Sequence, residues 1–112
     1  MKTEALPRFR EELNKELKEN ILSWWMHHAP DRELGGFHGH IDHRNQVVKG
    51  AGKGSVLNAR ILWTFSAAYR MYKQPAYLDT ARRAYAYIIS YFTDKKHGGV
   101  YWELEPDGRV RS

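Results

Sequence analysis

Between Gly54 and Lys73 the chain reads as a helix over 55–72 with almost no polar side. Val56, Leu57, Ile61, Leu62, Trp63, Phe65, Tyr69 and Met71 fall nearly all round its wheel. A helix that is apolar all round has to be enclosed by other elements. The 112 residues offer only two further helical segments to do so. Phe9, Leu13, Leu17, Ile21 and Trp24 recur every three or four residues, which predicts an amphipathic outer helix over 6–28, stopped by Pro30 and Asp31. Leu78, Ala81, Tyr85, Ile88 and Phe92 predict a third helix over 77–92. Ser55 is placed to cap the middle helix, and Lys73-Gln74-Pro75 to break it.

A repeat links these helices. Asp31-Arg32-Glu33-Leu34-Gly35-Gly36-Phe37 returns as Asp94-Lys95-Lys96-His97-Gly98-Gly99-Val100, an offset of 63 positions. Ile41-Asp42 and Val47 find counterparts in Leu104-Glu105 and Val110 at the same offset. Each copy reads as a helix, an Asp-x-x-x-Gly-Gly turn and a short hairpin. Such periods belong to stacked or closed arrays, in which each unit buries its face on the next. With the second hairpin reaching Ser112 and no closing element after it, the chain is expected to be the N-terminal part of one larger domain. The alternative is that self-association or another chain supplies the rest.

Composition narrows the function classes. With no Cys there is no disulfide scaffold, thiolate zinc site or thiol nucleophile. No apolar run is long enough to cross a membrane, and Met1-Lys2-Thr3-Glu4 lacks a signal core, so a cytoplasmic protein is expected. The net charge of +5 invites a nucleic-acid reading. However, four of those five charges fall in residues 55–93, where Arg60, Arg70, Lys73, Arg82 and Arg83 face only Asp79 and are scattered over two helices. No nucleic-acid-binding motif accompanies them, so no nucleic-acid partner is expected.

Among candidate functional residues Arg60 stands first. On a helical wheel it shares its stripe with the short Val56, Thr64 and Ala67, while Leu62, Phe65 and Tyr69 point elsewhere. A permanent cation beside short side chains fits an anionic or polyhydroxylated ligand; a buried ion pair with another part of the fold fits equally. Five histidines crowd residues 27–43 (His27, His28, His38, His40 and His43), but no spacing converges three of them, and no metal site is expected. Gly50-Ala51-Gly52-Lys53-Gly54 precedes a helix start without the Walker spacing, and reads as a flexible loop that shapes a cleft. Trp102 beside the second Gly-Gly turn could stack on a sugar ring or simply pack the hairpin. Glu103 and Glu105 share a strand face, yet nothing in their spacing makes them a glycosidase pair.

The run Lys53-Gly54-Ser55-Val56-Leu57-Asn58-Ala59-Arg60-Ile61-Leu62-Trp63-Thr64-Phe65-Ser66-Ala67-Ala68-Tyr69-Arg70 resembles the N-terminal region of cellobiose 2-epimerases, in the N-acylglucosamine 2-epimerase superfamily. Gly35-Gly36-Phe37-His38-Gly39-His40-Ile41-Asp42 and His97-Gly98-Gly99-Val100-Tyr101-Trp102 resemble the same family at matching positions. The resemblance implies an all-α fold, the N-terminal part of an (α/α)6 barrel with short β-hairpins after the Gly-Gly turns. It implies inversion at C2 of the reducing-end glucose of cellobiose-type disaccharides through a cis-enediolate, without metal or nucleotide cofactor. Arg60 maps onto the family's substrate-binding, charge-stabilising arginine, and Asn58 and Trp102 are expected to touch substrate. The family's acid and base histidines lie in later helices, beyond Ser112, so the 112 residues alone are expected to be inactive. Alternatives are an N-acylglucosamine 2-epimerase, an aldose–ketose isomerase or a glycosidase on the same kind of barrel, or a non-catalytic packing or binding module.

Overall fold

The computed structural model describes residues 2–112, with side chains from Ala5 onward. Helix α1 (Lys2–Glu16) continues through a π-helical turn, Leu17–Leu22, into α2 (Ser23–His28). After the first Gly-Gly turn and hairpin, strand β1 (Lys53–Gly54) leads straight into α3 (Ser55–Tyr72). Helix α4 (Pro75–Tyr87) follows after two residues and ends in a second π-helical turn, Ile88–Phe92. The chain closes with strand β2 (Glu103–Leu104), antiparallel to β1 with Lys53 opposite Leu104 and Gly54 opposite Glu103. Among the described residues no helix is long and apolar enough to cross a membrane.

The three helical stretches lie where expected, with local differences. The cap of α3 is the extended Gly54, not Ser55; Ser55 is the first helical residue, and its N–H is taken by Trp102 O at 3.0 Å. The carbonyl of the residue before β2 thus satisfies one of the donors left free at the helix start, and no side chain caps it. Pro75 does not merely break α3. It opens α4, where its fixed φ suits the first helical turn. The reversal between them is made by Lys73 in the left-handed conformation, its N–H bonded to Tyr69 O at 2.7 Å.

The core forms where α3, α4 and the C-terminal part of the first helix meet. It comprises Leu22, Ala29, Phe37, Ile61, Phe65, Ala68, Tyr77, Ala81 and Ala84. The apolar stripe read for the first helix is displaced. Phe9, Leu13 and Ile21 are exposed, whereas Leu22 is buried and Trp25 packs on the core. From residue 17 onward the π-helical turn explains the shift: it inserts an extra residue into the turn, so the inward face passes from Ile21 and Trp24 to Leu22 and Trp25. In α4 the expected Tyr85 is exposed, and Tyr77, Ala84 and Tyr87 are buried in its place. The middle helix is not enclosed on every side either. Asn58, Ile61, Phe65 and Ala68 face the core, but Val56, Trp63 and Met71 are exposed, Trp63 at 73%.

The repeat is present atom for atom. In the first copy Asp31 N–H donates to Gly36 O and Gly35 N–H to Asp31 O; in the second, Asp94 N–H donates to Gly99 O and Gly98 N–H to Asp94 O. Each aspartate Oδ1 also accepts two backbone N–H groups, those of Glu33 and Leu34 or of Lys96 and His97. The bridges Pro30–Phe37 and Ile41–Val47 recur as Thr93–Val100 and Leu104–Val110. The glycines are required because Gly35, Gly36, Gly98 and Gly99 all have φ between +67° and +89°.

Candidate functional site

Both hairpins gather at the end of the fold where α3 begins. They follow the C-termini of the first helix and of α4, and pairing of β1 with β2 ties them together. Arg111 adds a second tie. It pairs with Glu105 through Nε and Nη2 at 2.6 and 2.8 Å, and Nη2 also donates to Gly50 O at 3.1 Å. The Gly-rich segment is therefore not a loose loop. Its tail is strand β1, and Gly39 lies so close to the Gly52 carbonyl that no side chain would fit there. A phosphate cradle is excluded for Lys53, the lysine of this segment, because its side chain is 1% exposed and committed to internal partners.

Those partners form a buried polar knot beneath the start of α3. Lys53 Nζ lies 2.9 Å from Asp31 Oδ2 and 2.6 Å from Gly35 O, and 5.3 Å from the centre of the Tyr87 ring. Arg83 closes the other side, donating from Nε to Gly36 O at 2.9 Å and from Nη2 to Asp31 O at 2.7 Å. Burial pushes the Asp31 carboxyl up, but the Leu34 N–H, the Lys53 ammonium and the Glu33 N–H outweigh it, leaving the group below its ordinary value. The Tyr87 hydroxyl is buried without a partner among the described residues. Burial, then the neighbouring Tyr91, Asp31 and Asp107, push it up to about 12. No signal in the sequence spacing had singled out Asp31, Lys53, Arg83 or Tyr87. Asp31 was legible only as part of the repeat.

Arg60 lies one turn into α3 on its exposed face, on the wall of a groove of about 360 Å³. The groove runs between the first helix and α3, lined by Leu17, Ile21, Leu22, Trp25, Leu57, Ile61, Thr64 and Phe65 besides Arg60. Its surroundings are more apolar than the short-residue stripe suggested. Thr64 is the expected neighbour, and Ile61 and Phe65 join from the core side. Among the described residues no carboxylate pairs with the guanidinium; the ion pairs are those of Asp31, Asp94, Asp107, Glu103 and Glu105. A cation on an apolar wall, with its donors turned to solvent, can receive a ligand bearing several oxygens.

Asn58 is not beside it. Two residues earlier on a helix is about 200° away, and Asn58 faces inward, 1% exposed, with Nδ2 bonded to Gly54 O at 2.8 Å. Its Oδ1 has no partner among the described residues. Trp102 is 67% exposed, and its carbonyl accepts the first N–H of α3, which puts its backbone beside the start of the helix that carries Arg60. The histidines divide. His27, His28 and His38 line a second cavity of about 630 Å³ beside the first hairpin. His97 sits on the surface, 3.5 Å from Asp94. No group of three metal-ligating side chains occurs among the described residues.

Residues 35–112 match the model of the N-acylglucosamine 2-epimerase family. The chain is 46% identical over 99 residues to the cellobiose 2-epimerase of Bacteroides fragilis, covering 88% of this chain and 25% of that protein. The structure of cellobiose 2-epimerase from Spirochaeta thermophila superposes with a TM-score of 0.89 at 38% identity, covering 96% of this chain and 26% of that one. A D-mannose isomerase structure superposes at 0.71 with 16% identity, covering 85% of this chain and 27% of that one, a likeness of fold alone. The chain thus spans about a quarter of the length of the relatives it matches. Its mostly helical architecture is a section of an (α/α)6 barrel.

Proposed function

The chain belongs to the N-acylglucosamine 2-epimerase family, and from that premise we propose that the full-length protein is a cellobiose-type 2-epimerase whose first part these residues form. The observation that carries the reading is Arg60, solvent-facing on a groove wall and without an acidic partner among the described residues. In the proposed reaction the reducing-end glucose opens to its aldehyde. A base outside this segment takes the C2 proton, and the C–H electron pair forms the C1–C2 double bond of a cis-enediolate. Negative charge then develops on O1. Arg60 holds the O1 and O2 oxygens and stabilises that charge through paired N–H donors. Return of a proton to the opposite face of C2 gives the mannose epimer. Trp102, beside the start of α3, offers its indole to a sugar ring, while Asn58 supports the start of the helix from behind.

The reading is tested by incubating the full-length protein separately with cellobiose, mannose and N-acetylglucosamine. Glucosyl-mannose from cellobiose is the expected product. Conversion of N-acetylglucosamine or of mannose, with cellobiose untouched, would replace it with one of the other barrel activities.

A further inference from the structure

We propose that Lys53, anchored by Asp31, is a positioning residue for the substrate-binding end of α3. It fixes where the helix carrying Arg60 begins and which backbone of the second hairpin lies beside it. The inference rests on the functional reading above.

The internal repeat supplies a control within the same molecule. Asp31 and Asp94 make the same turn, each Oδ1 taking two backbone N–H groups. The Asp94 carboxylate faces the exposed His97, 3.5 Å from its second oxygen, and the Tyr101 side chain, but no lysine or arginine among the described residues. Asp31 Oδ2 has His38, the counterpart of Tyr101, at 3.8 Å and in addition meets a lysine that is 1% exposed. The turn therefore forms without a buried ammonium, and Lys53 serves something else. A buried charge pair gains little stability over an apolar pair of the same volume, and its attested use is to fix register. Lys53 is well placed for that. It is held from three directions, by Asp31, by the Gly35 carbonyl and by the Tyr87 ring. It stands two residues before α3, in the strand whose pairing sets Gly54 against Glu103 and Ser55 N–H on Trp102 O. A slip of β1 moves both Arg60, about two helical turns along, and Trp102 across the pair.

The test uses the full-length protein with three variants: Lys53→Met, Lys53→Met with Asp31→Asn, and Arg60→Ala. The single Lys53→Met strands a buried carboxylate and is expected to melt well below wild type. The double variant removes both charges and keeps an Asn oxygen for the turn. It is expected to fold cooperatively, yet to lose on the order of tenfold or more in kcat on cellobiose per folded molecule, since small misplacements of a catalytic group carry such penalties. KM should change far less than kcat. Should the double variant not fold, Lys53→Gln, which keeps a donor toward Gly35, is read by the same criterion. Wild-type kcat in a folded variant, or a loss that only tracks the folded fraction, overturns the proposal if Arg60→Ala is inactive. An Arg60→Ala protein with normal turnover overturns the functional reading, and this inference with it.

Discussion

Tyr87 joins the end of α4 to the first Gly-Gly turn. Its ring stacks on Tyr91 at 4.6 Å, meets Phe92 edge-on, lies against Gly36 and faces the Lys53 ammonium. Its hydroxyl, however, has no partner among the described residues. An unsatisfied buried hydroxyl costs about 1–3 kcal/mol, so Tyr87→Phe is expected to be neutral or mildly stabilising near neutral pH. The alkaline limb gives the sharper readout. The folded state holds the phenol up to about 12 against a reference of 10.0. Its contribution is therefore complete below about 10 and lost as pH rises toward 12. In denaturant melts across that range the wild type should lose stability more steeply than the Phe variant. Parallel curves would remove Tyr87 as the cause. None of this was legible in the sequence, where Tyr87 lies off the stripe of Leu78, Ala81 and Tyr85. Arg60 was legible, because a cation in the middle of an apolar helix is conspicuous whatever the rest of the fold does.

At the level of elements, the repeat was the most reliable signal and amphipathic phase the least. Asp-x-x-x-Gly-Gly fixes backbone geometry directly, through left-handed glycines and a carboxylate acceptor, so sequence identity carries over into matching hydrogen bonds. Helix phase does not survive a π-helical turn, which is why Ile21 and Trp24 gave way to Leu22 and Trp25. The two turns also make a paired prediction. Gly98→Ala meets nothing within 4 Å among the described residues and should cost only its left-handed strain, about 1–2 kcal/mol. Gly36→Ala has the same strain and would also place its Cβ 2.7 Å from the Tyr87 ring. Chemical denaturation of the full-length protein should rank Gly36→Ala well below Gly98→Ala. Equal losses would mean that the Tyr87 contact yields freely.

Across the whole molecule, the apolar character of α3 reads differently from its first impression. One face closes the core with α4 and the first helix. The opposite face carries Val56, Arg60, Trp63 and Met71 into the open. Sequence alone predicts neighbours on all sides of the helix, but not which side the described residues supply, because that depends on pairings between distant elements. The exposed side is also where the proposed chemistry belongs, since it carries Arg60, which has no acidic partner among the described residues. Removing a donor that stabilises a developing oxyanion costs about 10²–10³ in turnover, and lysine cannot reproduce the planar fork of arginine. The most direct measurement is therefore proton exchange in heavy water, with the full-length protein acting on cellobiose and with its Arg60→Ala and Arg60→Lys variants. Deuterium entering C2 of the reducing-end sugar during formation of glucosyl-mannose, and falling by about 10²–10³ in rate in both variants, is the expected result. Epimerisation without deuterium at C2, or undiminished exchange in Arg60→Ala, would contradict it.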